Sequence, residues 1–222
     1  MRFGLDRRSG GGDPEWEDDP ERSSSEAARR ARGKLRRYGT ANRLNRLGTV
    51  TYAGQGCHDP GEFRGHIGAF FRRLRRSQGG EAFPYMWVPE WHRSGHGLHA
   101  HFAVGRYIKV GDIREAWGRG FVHIKLLGNL PVGSGTLAEA RAGSLYLAKD
   151  VGKDFDHERV PGLHRYDLAR GFEPESMQLV GTRVEDVLDR ASEAMGWRPV
   201  VVWHSDTEQG WRGPPAVWAS WN

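Results

Sequence analysis

Two histidines separated by one residue, His99 and His101, lie in the run Leu98-His99-Ala100-His101-Phe102. As a β-strand this run alternates imidazole with apolar side chain, so both rings leave one face while Leu98, Ala100 and Phe102 turn to the other. Imidazoles at that spacing can hold one divalent ion through ring nitrogens. The run Tyr85 to His92 just upstream reads as a second strand, and Arg93-Ser94-Gly95-His96-Gly97 carries the glycines of a hairpin connection. In that hairpin Glu90 and His92 share a face of the neighbouring strand, and either could supply a third ligand. Three protein ligands leave coordination positions open, which is the arrangement of a catalytic rather than a structural ion. Pro89 has no N–H to give to a ladder, so it asks for an edge position or a bulge.

A second chemical group lies downstream. Leu137 to Lys153 has helical spacing, and Tyr146, Lys149, Asp150 and Lys153 fall at i, i+3, i+4 and i+7 along one face. A phenol beside two ammonium groups is equipped to meet a phosphate. Other elements must position these groups. Gly48 to Ala53 is β-branched and alternating, hence a strand. Phe63, Ile67, Phe70, Phe71 and Leu74 fall at helical spacing among five arginines, so an amphipathic helix packs there on a sheet. A short helix over Asp112 to Trp117 and a strand over Phe121 to Leu127 follow, with His123 expected to be a solvated or core-edge residue. Beyond Asp154 the pattern weakens to a helix near Val184 to Ala191, a strand over Pro199 to Trp203, and Trp211, Trp218 and Trp221, for which cover packing is the common use.

The chain has 222 residues, enough for one ample core with tails. Residues 1–23, rich in Gly, Asp, Glu, Ser and Pro, read as a disordered tail, because such a stretch cannot bury enough apolar surface to offset its ordering. Ser23-Ser24-Ser25 can then cap a basic helix running to Tyr38. The net charge is +5 and the sequence pI about 9.6, which suits a polyanionic partner, and the arginines between Arg29 and Arg46 concentrate that charge. Cys57 is the single cysteine and cannot form an internal disulfide. With no long apolar run and no signal segment, the expectation is a soluble, cytoplasmic protein without a membrane partner. Phosphate-binding Walker loops, paired-cysteine zinc motifs and Gly-x-Gly-x-x-Gly are absent from the sequence.

The histidine pair on a strand, followed by a tyrosine with a lysine three residues on, resembles the HUH single-strand endonucleases, and in particular the rolling-circle replication initiators of bacterial plasmids and phages. Four stretches carry the likeness in order: Arg46 to Tyr52; Val88-Pro89-Glu90-Trp91 leading to Arg93 and Gly95; Leu98 to Phe102; and Tyr146 to Lys153. The block from Leu163 to Tyr166 and on to Phe172 adds to it. The resemblance implies an α+β fold with an antiparallel sheet of about five strands, helices mainly on one face, and the histidine strand at the centre. It implies an endonuclease domain over residues 24–172 and a C-terminal extension over 173–222. It implies His99, His101 and Glu90 as metal ligands, Tyr146 as nucleophile, and Lys149 on the scissile phosphate or DNA backbone. The clustered charge makes Arg36, Arg37, Arg43 and Arg46 the expected backbone-binding cations, with Lys153 on the face of Tyr146. Magnesium or manganese is the expected ion, since phosphate and carboxylate are hard ligands, and zinc would bind but serve less well. The partner would be single-stranded DNA or a hairpin origin, with a host helicase and polymerase taking over the nicked strand. Cleavage would leave a 5′-phosphotyrosine and a free 3′ hydroxyl. Asp150 stands where the two-tyrosine branch has its second tyrosine, so a single nucleophile is expected.

Two other readings use the same residues. A non-catalytic DNA-binding protein of this fold would need only the basic helix and the sheet. A metal-dependent β-barrel hydrolase or oxygenase would use His99, His101 and Glu90 and leave Tyr146 without a role.

Overall fold

The computed structural model describes residues 20–125, 140–148, 163–211 and 215–221, which divide into two compact units, one up to Pro174 and one from Glu175. In the first unit, strands β1 (Arg46–Tyr52), β2 (Tyr85–Trp91), β3 (Leu98–Val104), β4 (Gly120–Lys125) and β5 (Asp167–Leu168) form one sheet in the order β4-β1-β3-β2-β5, with every pairing antiparallel. The class is α+β, and the histidine strand β3 is central. Among the described residues both outer strands are open edges, so the sheet does not close and the β-barrel alternative does not hold. Pro89 fits this ladder for a local reason. β5 pairs with β2 only at Met86 and Trp87, so beyond Trp87 that side of β2 has no neighbour among the described residues in need of an N–H.

Alternation along the strands gives the sheet two apolar faces, so helices cover both of them and not mainly one, as expected from the resemblance. One face carries Val50, Tyr52, Trp87, Phe102 and Val104 beneath α2 (Pro60–Ser77) and α3 (Val110–Trp117). α2 starts where the Asp59 carboxylate accepts the Glu62 N–H and Pro60 presets the first turn, and it buries Phe63, Ile67, Phe70, Phe71 and Leu74 as its expected stripe. Each such side chain contributes on the order of 1.5–3 kcal/mol of transfer free energy. The other face carries Leu47, Met86, Val88 and Ala103 beneath α1 (Pro20–Ala41) and α4, the helical residues 140–148. α1 presents Ala31, Leu35 and Tyr38 to the sheet, and Tyr38 donates its hydroxyl to the Ala169 carbonyl just past β5. α1 and α4 meet at Gly39, where a Cβ would collide with the Ser144 hydroxyl, so the two backbones approach as closely as glycine permits.

α1 begins at Pro20, upstream of Ser23-Ser24-Ser25, so these serines lie inside the helix and do not cap it. Proline is at home in a first turn, where its missing N–H has no intrahelical partner anyway. The rest of the expected tail, and Lys149, Asp150 and Lys153, which the spacing puts on one helix face with Tyr146, lie outside the described residues.

The second unit holds α5 (Val184–Met195) and a hairpin of β6 (Val201–His204) with β7 (Val217–Ser220). Trp197 and Trp221 each donate the indole N–H to the other's carbonyl, at 2.8 and 2.9 Å. Trp221 is buried, whereas Trp211 and Trp218 remain about half exposed.

Candidate active site

The site is built on the two central strands. Register places Glu90 opposite His99 and Val88 opposite His101, so one face of the β2–β3 hairpin brings a carboxylate against two imidazoles. The hairpin turn is closed by His92 N–H to Gly97 O and Gly95 N–H to His92 O, and Gly97 (φ 82°) lies so close to the Cys57 backbone that no side chain would fit.

Three ligand atoms converge there. Glu90 Oε2 lies 2.8 Å from His101 Nε2 and 3.3 Å from His99 Nε2, and the two ring nitrogens are 3.2 Å apart. Metal bonds of about 2.0–2.2 Å at right to tetrahedral angles separate neighbouring donors by roughly 2.8–3.6 Å, so this triangle has the dimensions of one face of a coordination sphere. The chemistry of the atoms agrees. Thr49 Oγ1 is 2.9 Å from His101 Nδ1; with Nδ1 donating to that hydroxyl, the Nε2 lone pair points at Glu90 and His99. His99 is buried, and its Nδ1 has no hydrogen-bond partner among the described residues, so its polar engagement is through Nε2 alone. Burial, and then the neighbouring His101, hold the His99 imidazole below its usual range, in the neutral form that ligates. Glu90, His99 and His101 are a set that could hold a metal ion.

His92 does not join it. Its Nδ1 accepts the Ser94 N–H at 3.3 Å and lies 2.6 Å from the Ser94 hydroxyl, which leaves its ring edge-on to His99 with centroids 5.5 Å apart. Of the two candidates for a third ligand, the structure brings in Glu90. Tyr146 lies next to the set. α4 anchors itself through buried Ala140, Leu147 and Ala148, which leaves the half-buried Tyr146 ring 6.2 Å from the His101 ring, at 85° to it.

The basic residues are arranged differently. Arg36 and Arg37 are exposed on α1, opposite its buried stripe, and Arg43 is exposed in the α1–β1 link with a left-handed φ of 52°. Arg46 opens β1 opposite Val104, the far end of β3 from His99, and its guanidinium sits 5.3 Å above the Tyr107 ring. Arg46 is therefore not brought to the donor set. Thr49 is the participant that motif reasoning missed. The signal was present in the alternation of β1: Val50 and Tyr52 go to the α2 side, so Thr49 must share the face of the histidines.

Residues 45–155, half of the chain, match the family of the replication-associated protein ORF2. The chain belongs to this family. The matched stretch runs from β1 through α4 and contains Glu90, His99, His101 and Tyr146. Membership makes the chain a replication protein of the initiator type, one that works on DNA. No curated protein and no solved structure matches it. Among the described residues no helix is long and apolar enough to cross a membrane.

Proposed function

We propose that this replication protein is an HUH-type nickase that cuts single-stranded DNA by transesterification onto Tyr146 and thereby starts rolling-circle replication. The observation that carries the proposal is the Tyr146 ring standing against His101, beside three converging ligand atoms. Glu90, His99 and His101 would hold magnesium or manganese, with Thr49 fixing the His101 ring. Such an ion, when bound, stabilises charge developing on the scissile phosphate. The Tyr146 oxygen attacks phosphorus while the bond to the 3′ oxygen breaks. The phenol gives up its proton, the 3′ oxygen takes one, and one phosphoester replaces another. A free 3′ hydroxyl then primes synthesis, and the bond energy stays in the phosphotyrosine for rejoining. The strand must be single or extruded, because a duplex hides the phosphate geometry that the site requires. Lys149 and Lys153 are proposed to hold the phosphate and its neighbours, and Arg36, Arg37, Arg43 and Arg46 to contact the backbone further along.

Incubation with single-stranded origin DNA should give a protein–DNA adduct that survives denaturing electrophoresis, is lost in excess chelator and returns with magnesium or manganese. DNA binding without any adduct under all metal conditions would favour the non-catalytic reading of the same fold.

A further inference from the structure

The sheet face that carries the donor set continues beyond it to the β4 edge. Thr49 pairs with His101 on one side and with His123 on the other, so Val88, His101, Thr49 and His123 form one row across four strands. Phe121, two residues before His123 on β4, pairs with Thr51 and projects from the same face, since Val122 and Ile124 between and beyond them pack into the opposite core. Phe121 is 70 % exposed and His123 is exposed as well. A single exposed phenylalanine is ordinary on a protein surface. An aromatic ring in open solvent beside the row of a phosphate-handling site is a different matter. β4 lies two strands from β3, about 10 Å at a strand spacing near 4.8 Å. A nucleotide near a phosphate that meets an ion held by Glu90, His99 and His101 can span that distance, and its base offers a flat π face that phenylalanine accepts without regard to sequence.

We infer that Phe121, with His123 beside it, is a stacking platform for a base flanking the scissile phosphate, and so positions the single strand across the sheet toward Tyr146. The inference rests on the nickase reading for what lies at the donor set, but it is tested apart from cleavage. Anisotropy of a labelled oligo(dT) in chelator measures binding alone. Phe121→Ala and Phe121→Leu should each weaken it by roughly 5- to 150-fold, the range for one base–aromatic stack, and Phe121→Trp should keep or tighten it. The dependence of log affinity on log salt should be the same for all four proteins, because no charge changes. Thermal melting checks that the variants fold, as an exposed side chain allows. Equal affinity of wild type and Phe121→Ala overturns the platform. So does full recovery with leucine, which would make the position a general apolar cover, and so does a change in self-association in place of DNA affinity, which would assign the β4 edge to a second copy of the chain. The wild-type covalent adduct with magnesium is scored in parallel. Weakened binding by Phe121→Ala without any wild-type adduct refutes the nickase and keeps the platform; an adduct with no effect of Phe121→Ala refutes the platform alone.

Discussion

At the residue scale, the ligand geometry depends on side chains that never touch the proposed ion as well as on those that do. Thr49 Oγ1 lies 2.9 Å from His101 Nδ1; when that hydroxyl accepts the Nδ1–H, Nε2 keeps its lone pair toward Glu90. Thr49→Val keeps the shape and removes that partner. The variant should bind manganese about 10- to 100-fold more weakly, the usual cost of losing a ligand's supporting hydrogen bond, and a calorimetric metal titration without DNA checks it. Replacing both His99 and His101 by alanine should abolish cleavage while sparing most DNA binding, measured by adduct formation and anisotropy on the same preparation. Retained cleavage in the double variant would remove the metal from the account. Glu90 and His92 could not be ranked from the sequence, because both point to one side of their strand. Register and the Ser94 contacts separate them: Glu90 lies opposite His99, and His92 has already turned into the hairpin.

At the scale of elements, α1 divides into a buried stripe and a cationic face, and the two have separable consequences. Changing Arg36 and Arg37 to alanine should leave folding intact and flatten the salt dependence of single-strand binding by up to about 1.4 in slope, roughly 0.7 for each phosphate that is no longer neutralised. An unchanged slope would make α1 a solvated helix with no share in DNA binding. On the other side of the sheet, α2 is tied to β1 by the Tyr52 hydroxyl, 2.9 Å from His66 Nδ1. Burial, and then the charge of Arg119, keep the His66 imidazole below its usual range. The unfolded chain then takes up that proton more readily, so His66 does not reduce stability above its unfolded value near ~6.5 and increasingly reduces it as pH falls below, through the depressed folded value. His66→Gln should make the melting temperature less sensitive to pH between about 7 and 5. The elements themselves were legible to different degrees. β1, β3 and α2 announce themselves through strong periodicity, although β1 starts at Arg46, ahead of the Gly48 that the alternation marks. β5 is two residues long and exists only because Met86 and Trp87 offer it a partner, which no local pattern can reveal. The start of α1 at Pro20 was obscured by serines that look like a cap but occur within the helix.

At the scale of the molecule, the site lies at the margin of one covered sheet face, where His99 is buried and His101 and Glu90 are partly exposed. α1 and α4 cover the Leu47, Ala103 and Met86 end of the sheet, and His99, His101 and Glu90 follow further along the same face. Tyr146 projects from the edge of that cover, so the same packing that stabilises the fold sets the distance from phenol to donors. The donor set and Tyr146 all lie before Pro174, and we expect the first unit to act alone. A chain ended after Pro174 should melt cooperatively and still form the covalent adduct, checked by calorimetry and denaturing electrophoresis; loss of the adduct in a folded fragment would give the second unit a catalytic or DNA-positioning part. We propose Tyr146 as the sole nucleophile, and adduct formation by Tyr146→Phe tests this directly, because the variant keeps the ring against His101 and removes only the attacking oxygen. The variant should fold, bind single-stranded DNA like the wild type and form no adduct, and peptide mapping of the wild-type adduct should place the nucleotide on Tyr146. An adduct in the phenylalanine variant, or a nucleotide mapped to another residue, would contradict it.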